Sequence, residues 1–284
     1  MMIVIADGGS TKTSWCVLAN GKVSIQFITE GYNPYYITPD YFTDSMKRSL
    51  PEGFSPGEVA KLYFYGAGCA DDKFEFMTGL LKSIFTNAEV FIAMDLLAAA
   101  RALLGHSSGF AAILGTGTNS CLYNGKVVAQ NIDSLGFMLG DEGSGAYIGK
   151  QLIADYIRGY IPKNIHDLFW ERYQLTPDRL MDTVYTKPYP NRFCSGFARF
   201  VSEHIGQSDY LSQLANNAFD TFFRNIVVRY PDYKHYTFNC VGAVGYHFST
   251  LLGSVAQNYD MQLGKFLLDP MEGLVAYHLS SDKT

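Results

Sequence analysis

The sequence predicts an α/β fold of two related domains with mixed sheets, and three observations lead to that reading. First, a strand, a polar glycine turn, a second strand, an Asn-Gly pair and a third strand occur in that order from Ile3 and again from Ala112. Second, helical segments follow the strands in each half. Third, a length of 284 residues suits two medium domains better than one compact unit.

The elements follow in order. Met2 to Ala6 is an apolar run of strand length, Thr13 to Ala19 a second, and Asn20-Gly21 is a hairpin signal before a third, Lys22 to Thr29. Thr38 and Pro39 start a helix to about Leu50, Ala60 to Tyr65 reads as a strand, and Asp72 to Phe85 has helical spacing. A strand from Val90 to Met94 leads into Asp95 and an alanine-rich helix that stops at Gly105. The series then restarts with Phe110 to Leu114, the turn "GTGTN", Ser120 to Tyr123, Asn124-Gly125 and "KVVAQ". Helices are expected at Ser144 to Tyr160, Ile165 to Arg172, Asn191 to His204 and Ser208 to Arg229, with a loop at "KPYPN". "TFNCVGAVG" reads as a last strand entering a glycine turn, and Met271 to Leu279 as a short terminal helix.

Composition limits the function. Charged residues make up 17% and the formal net charge is -5, which argues against a basic nucleic-acid surface and for small-molecule partners. The five cysteines, Cys16, Cys69, Cys121, Cys194 and Cys240, form no CxxC pair or zinc spacing and read as reduced core thiols. The short apolar start lacks a basic lead and a cleavage site, and no run reaches membrane-spanning length, so cytoplasm is the expected compartment, without a membrane partner.

Chemistry concentrates in the turns. In "DGGSTKTS", Gly8 and Gly9 let the backbone approach a ligand, while Ser10, Thr11, Lys12 and Thr13 offer donors to anionic oxygens. Asp7, at a strand end, suits a hydrated magnesium ion. An ordinary polar hairpin is the plainer alternative. The second turn, Gly115, Thr116, Gly117 and Thr118, repeats the glycine–hydroxyl mixture at the equivalent place, and two such turns across a cleft suit a triphosphate. Asp95, at a strand end before a helix, reads either as a proton acceptor for an attacking hydroxyl or as a helix cap. Asp141 and Glu142 of "LGDEGSGAY" read as sugar or metal contacts, or as acids favoured at a helix start that Ser144 caps. The small residues of "VGAVG" give an adenine ring room to lie on the backbone.

Taken in this order, "IADGGSTKT", Asp95, "LGTGTNS", "LGDEGSGAY" and "VGAVG" resemble the N-acetylglucosamine kinase branch of the BadF/BadG/BcrA/BcrD ATPase family, within the actin-like sugar kinase superfamily. The resemblance implies two ribonuclease-H-like domains around an interdomain cleft: residues 1–105 with about 270–284, and residues 106–269 with added helices. It implies ATP and magnesium, and transfer of phosphate to the 6-hydroxyl of an amino sugar, N-acetylglucosamine first, with glucosamine and N-acetylmannosamine open. It makes Asp7 the magnesium-linked carboxylate, Asp95 the base, Ser10 to Thr13 and Gly115 to Thr118 the phosphate turns, and Asn33, Asn119 and Asp141 the sugar contacts. Gly242, Ala243 and Gly245 become the adenosine loop. It also places the final helix on the first domain and, with an aromatic content of 15%, allows a homodimer. Two positions depart from the pattern: Leu135 stands where the animal enzyme has a tryptophan, and Gly242-Ala243 replaces a Gly-Gly pair. An iron–sulfur activator of a radical enzyme and a non-catalytic sugar sensor are the alternatives.

Overall fold

In the computed structural model of the chain, residues 1–9 and 11–281 are described, and the chain divides into two units. The first comprises Met1–Ser108, Asn124–Val128 and the chain from Asp269; the second comprises Gly109–Tyr123 and Ala129–Leu268.

The first unit is built on a five-stranded sheet. Its strands are β1 (Met2–Gly8), β2 (Lys12–Ala19), β3 (Lys22–Glu30), β4 (Val59–Gly66) and β5 (Glu89–Met94), in the order β3-β2-β1-β4-β5. β1 runs antiparallel to β2 and parallel to β4, so the sheet is mixed. Its central strand is apolar from Met2 to Ala6 because both faces are covered. Val4 and Ala6 join the cluster of Phe42 and Met46 from α1 (Pro39–Ser49) and Met77 and Leu81 from α2 (Phe74–Ile84). Ile3 and Ile5 face Ala98 and Ala102 of α3 (Asp95–Leu104), together with Met271 and Leu274. The N-terminus of α1 is fixed as expected, with Thr38 Oγ1 accepting from the Tyr41 N–H at 3.3 Å.

The second unit has strands β6 (Ser108–Leu114), β7 (Thr118–Asn124) and β8 (Val128–Asn131), then helices α4 (Gly136–Leu139), α5 (Gly145–Arg158), α6 (Lys163–Tyr173), α7 (Pro177–Thr186), α8 (Pro190–His204) and α9 (Asp209–Asn225). It continues with β9 (Thr237–Val241), α10 (Ala243–His247), α11 (Ser249–Asn258) and β10 (Gln262–Leu267). The final helix α12 (Met271–Ser281) belongs to the first unit, where the Cα of Gly273 packs against Ala102. The core of the second unit is rich in rings, including Phe110, Phe169, Phe200, Phe219 and Phe222, all fully buried. Each contributes about 1.5–3 kcal/mol relative to an exposed ring. No helix among the described residues is long and apolar enough to cross a membrane.

The strand order of the second sheet, β8-β7-β6-β9-β10, repeats that of the first when β6 is matched to β1. The repeat seen from Ile3 and Ala112 is therefore a repeat of topology. Several expected boundaries move. "TFNCV" is not the last strand: β10 follows it, an exposed edge strand containing Gly264, whose bare Cα is needed against Asn239 and Thr237. Helix α9 ends at Asn225, and a 3₁₀ turn, Val227–Arg229, completes the expected segment. Helices α7 and α11 lie in segments the sequence reading left unassigned.

Candidate functional site

In the first unit, chemistry gathers at the C-terminal ends of the strands. Asp7 is the penultimate residue of β1, paired in register with Ser14, while Gly8 pairs with Thr13. The turn closes through the Gly9 N–H to the Lys12 carbonyl at 2.9 Å, and the Gly31 N–H donates to the Thr11 carbonyl at 3.0 Å. Gly8 is fixed by packing, since a Cβ there meets the Phe64 ring at 3.1 Å and the Tyr65 carbonyl at 3.3 Å. Gly9 has more room. Ser10 lies outside the described residues. Thr13 is fully buried, and among the described residues its hydroxyl has no hydrogen-bond partner, where a buried hydroxyl normally finds one.

Asp95 is the first residue of α3, immediately after β5, and the N-cap position falls to Met94 rather than to Asp95. Its carboxylate accepts from the Leu96 N–H, but desolvation outweighs that bond and pushes its pKa up to about 6. Asp7 is pushed further, to about 7, by desolvation first, then by the charges of Asp269 and Asp95, against the pull of Lys12. Three carboxylates and one ammonium thus share this end of the sheet. Cys69 is buried beside Asp95, and burial raises its thiol to about 12. Asn33 lies over Gly68, where a Cβ would meet its Oδ1 at 2.8 Å, and that oxygen accepts from the Tyr35 N–H at 3.0 Å.

In the second unit, the glycine motifs converge. The turn after β6 closes through the Gly115 N–H to the Gly117 carbonyl at 3.0 Å. Its carbonyls receive the start of α5: the Gly145 N–H donates to Gly115 at 2.8 Å and the Ala146 N–H to Thr116 at 3.1 Å. Ser144 caps α5 by accepting from the Tyr147 N–H at 3.1 Å. Gly242, at φ +118°, lies against the same turn, where a Cβ would meet the Leu114 carbonyl at 2.5 Å. Ala243 opens α10, and Gly245 packs against Cys240 and Leu114. The segments "LGTGT", "GSGA" and "VGAVG" therefore form one backbone-lined floor.

Asp141 is almost fully buried, at φ +56°, and its Oδ1 accepts from the Thr118 N–H at 3.1 Å. Desolvation raises its pKa. The Thr118 hydroxyl is occupied inside the protein, donating to the Glu142 carbonyl at 2.7 Å, and the Glu142 side chain accepts from Asn225 Nδ2 at 2.8 Å. Thr118 and Asn119 lie in β7 rather than in the turn. Asn119 Oδ1 accepts from the Ser120 N–H and from Asn131 Nδ2. Leu135, at φ +60° and 59% exposed, precedes α4.

The residue that sequence reasoning passed over is Asp269. Its carboxylate lies 3.7 Å from Lys12 Nζ and accepts from the Met271 N–H at 2.8 Å at the start of α12. The signal was present in "DPM", an Asx residue before a proline at a helix start.

Among the described residues no group of three His, Cys, Asp or Glu is arranged to hold a metal directly. Asp7, with acidic neighbours at the same end of the sheet, nonetheless fits a magnesium ion, which uses one or two carboxylates and keeps waters and phosphate oxygens. All five cysteines are buried and unpaired, and burial raises Cys121 to about 12 and Cys194 to about 11.

No family profile matches the chain, and neither does any curated protein sequence. Among solved structures, the chain is similar to a putative N-acetylglucosamine kinase from Porphyromonas gingivalis, at 37% identity over 99% of each chain and a TM-score of 0.94. It also resembles a putative N-acetylglucosamine kinase from Chromobacterium violaceum, at 15% identity over 97% of this chain and 98% of that one, TM-score 0.66. Component A of the (R)-2-hydroxyglutaryl-CoA dehydratase of Acidaminococcus fermentans shares the fold at 11% identity, 99% and 97% coverage and a TM-score of 0.51. The two five-stranded mixed sheets thus form the two-domain fold of the actin-like ATPases.

Proposed function

Because the chain belongs to the family of the Porphyromonas gingivalis protein described as a putative N-acetylglucosamine kinase, we propose that it is a sugar kinase that transfers the γ-phosphoryl group of ATP to the 6-hydroxyl of an amino sugar, N-acetylglucosamine first. The observation that carries this reading is Asp95, a desolvated carboxylate at the end of a parallel strand with a pKa near 6. A base of that strength is ionised at neutral pH and still takes a proton from a hydroxyl as its oxygen bonds to phosphorus.

Each chain residue has a part in this reading. The turn from Gly8 to Thr13 and the turn from Gly115 to Gly117, which Thr118 anchors from β7, bind phosphate oxygens; Gly242, Ala243 and Gly245 border the adenosine. Asn33, Asn119 and Asp141 orient the sugar. Asp7 would hold magnesium through water, and the ion would supply neutralisation of phosphate charge. The alternative of a radical-enzyme activator needs thiolates that meet in an iron–sulfur cluster, and five buried thiols of raised pKa speak against it.

The test is ADP release from MgATP with a panel of N-acetylglucosamine, glucosamine, N-acetylmannosamine and glucose. Release with N-acetylglucosamine is expected. ADP release with no sugar of the panel would remove the reading.

A further inference from the structure

Asp269 has two bonds of different kinds. One carboxylate oxygen, Oδ1, accepts from the Met271 N–H at 2.8 Å in an Asx turn that leads into α12. The other, Oδ2, lies 3.7 Å from the ammonium of Lys12, in the turn between β1 and β2. Asp269 is also the residue at which the chain passes from the second unit to the first. The lysine is 58% exposed and the carboxylate 36%, so the pair is weak and open to competition by a more highly charged anion.

We infer that Asp269 is a positioning residue for Lys12: it holds the lysine while the phosphate turn is empty and releases it to the phosphates of ATP. This rests on the reading of residues 8–13 as a phosphate turn. ATP binding then breaks one ion pair to form another, and the charge of Asp269 sets the affinity for nucleotide without entering phosphoryl transfer. An ammonium is a compact, rotatable charge on a flexible stem, suited to such an exchange.

The test separates the two functions of Asp269, because asparagine makes an Asx turn as aspartate does but carries no charge. Calorimetric binding of MgATP, without sugar, is compared in the wild type, Asp269→Asn, Lys12→Met and the double variant. The Asp269→Asn protein is expected to bind MgATP about two- to fivefold more tightly, the range of an exposed ion pair. Its KM for ATP falls likewise. In the Lys12→Met background the gain disappears. Asp269→Ser, which keeps a side-chain oxygen for the same kind of turn, repeats the result and guards against a defect peculiar to asparagine. Unchanged affinity in Asp269→Asn would overturn the inference while leaving the kinase reading intact. A gain that persists in the Lys12→Met background also overturns it, by assigning the effect to simple repulsion. A wild type that does not bind MgATP removes the nucleotide reading and this inference together.

Discussion

The Thr118 hydroxyl donates to the Glu142 carbonyl at 2.7 Å, while the Thr118 N–H donates to the Asp141 carboxylate at 3.1 Å. One residue thereby ties the glycine turn after β6 to the acidic loop before α5.

Thr118→Val keeps the shape and removes one of these two bonds. A buried carbonyl that loses its donor costs about 1–3 kcal/mol. Thermal unfolding should shift down by several degrees, and the KM values for ATP and sugar should rise together because both loops loosen. A rise confined to ATP would show instead that the hydroxyl leaves Glu142 to bind phosphate.

Asp95→Asn should lower kcat by about 10²- to 10⁴-fold, and the wild-type rate should fall as pH drops below about 6, where Asp95 takes a proton. Stability should move the other way. A carboxyl whose folded pKa lies above its unfolded value of 3.8 favours folding when protonated, and that advantage is lost as pH rises through about 6. At pH 8 the asparagine variant should therefore be more stable, by on the order of 1–3 kcal/mol, and at pH 4 the difference should vanish. Equal turnover would exclude Asp95 as the base; equal stability at pH 8 would show that the wild-type carboxylate is solvated.

His278 gives the opposite pH response. It is buried in α12, with Nε2 2.9 Å from the Tyr65 hydroxyl, which also accepts from Arg101 Nη1 at 2.6 Å. Desolvation, aided by the Arg101 charge, lowers its pKa from 6.5 to about 4. The unfolded chain takes up this proton first, so stability falls between pH 6.5 and about 4. His278→Gln retains a polar partner for Tyr65 and should flatten that part of the melting-temperature profile. An unaltered slope would assign the acid loss to other groups.

The sequence was informative where one physical cause dominated. Two Asn-Gly pairs and continuous apolar strands revealed the repeat, and Thr38, Ser144 and Gly105 marked helix ends by cap chemistry that operates locally. Strand β10 was illegible because "QLGKFL" has a glycine and a lysine where an apolar run is sought; its pairing with β9 decides it. The inward turn of the Thr118 hydroxyl was equally hidden, since the partner is a carbonyl 24 residues away and carbonyls are present at every position. Asp269 lies far along the chain from Lys12 and Asp7, and only folding brings them together.

The place of α12 bears on synthesis. Met271 and Leu274 complete the packing over Ile3 and Ile5, so the face of β1 that bears those isoleucines is only partly covered, by α3, until residues 271–274 have been made. The second unit, whose chain is finished by Leu268, has all its parts earlier. On the ribosome the amino-terminal unit should therefore be the later of the two to reach its native state, reversing the usual order.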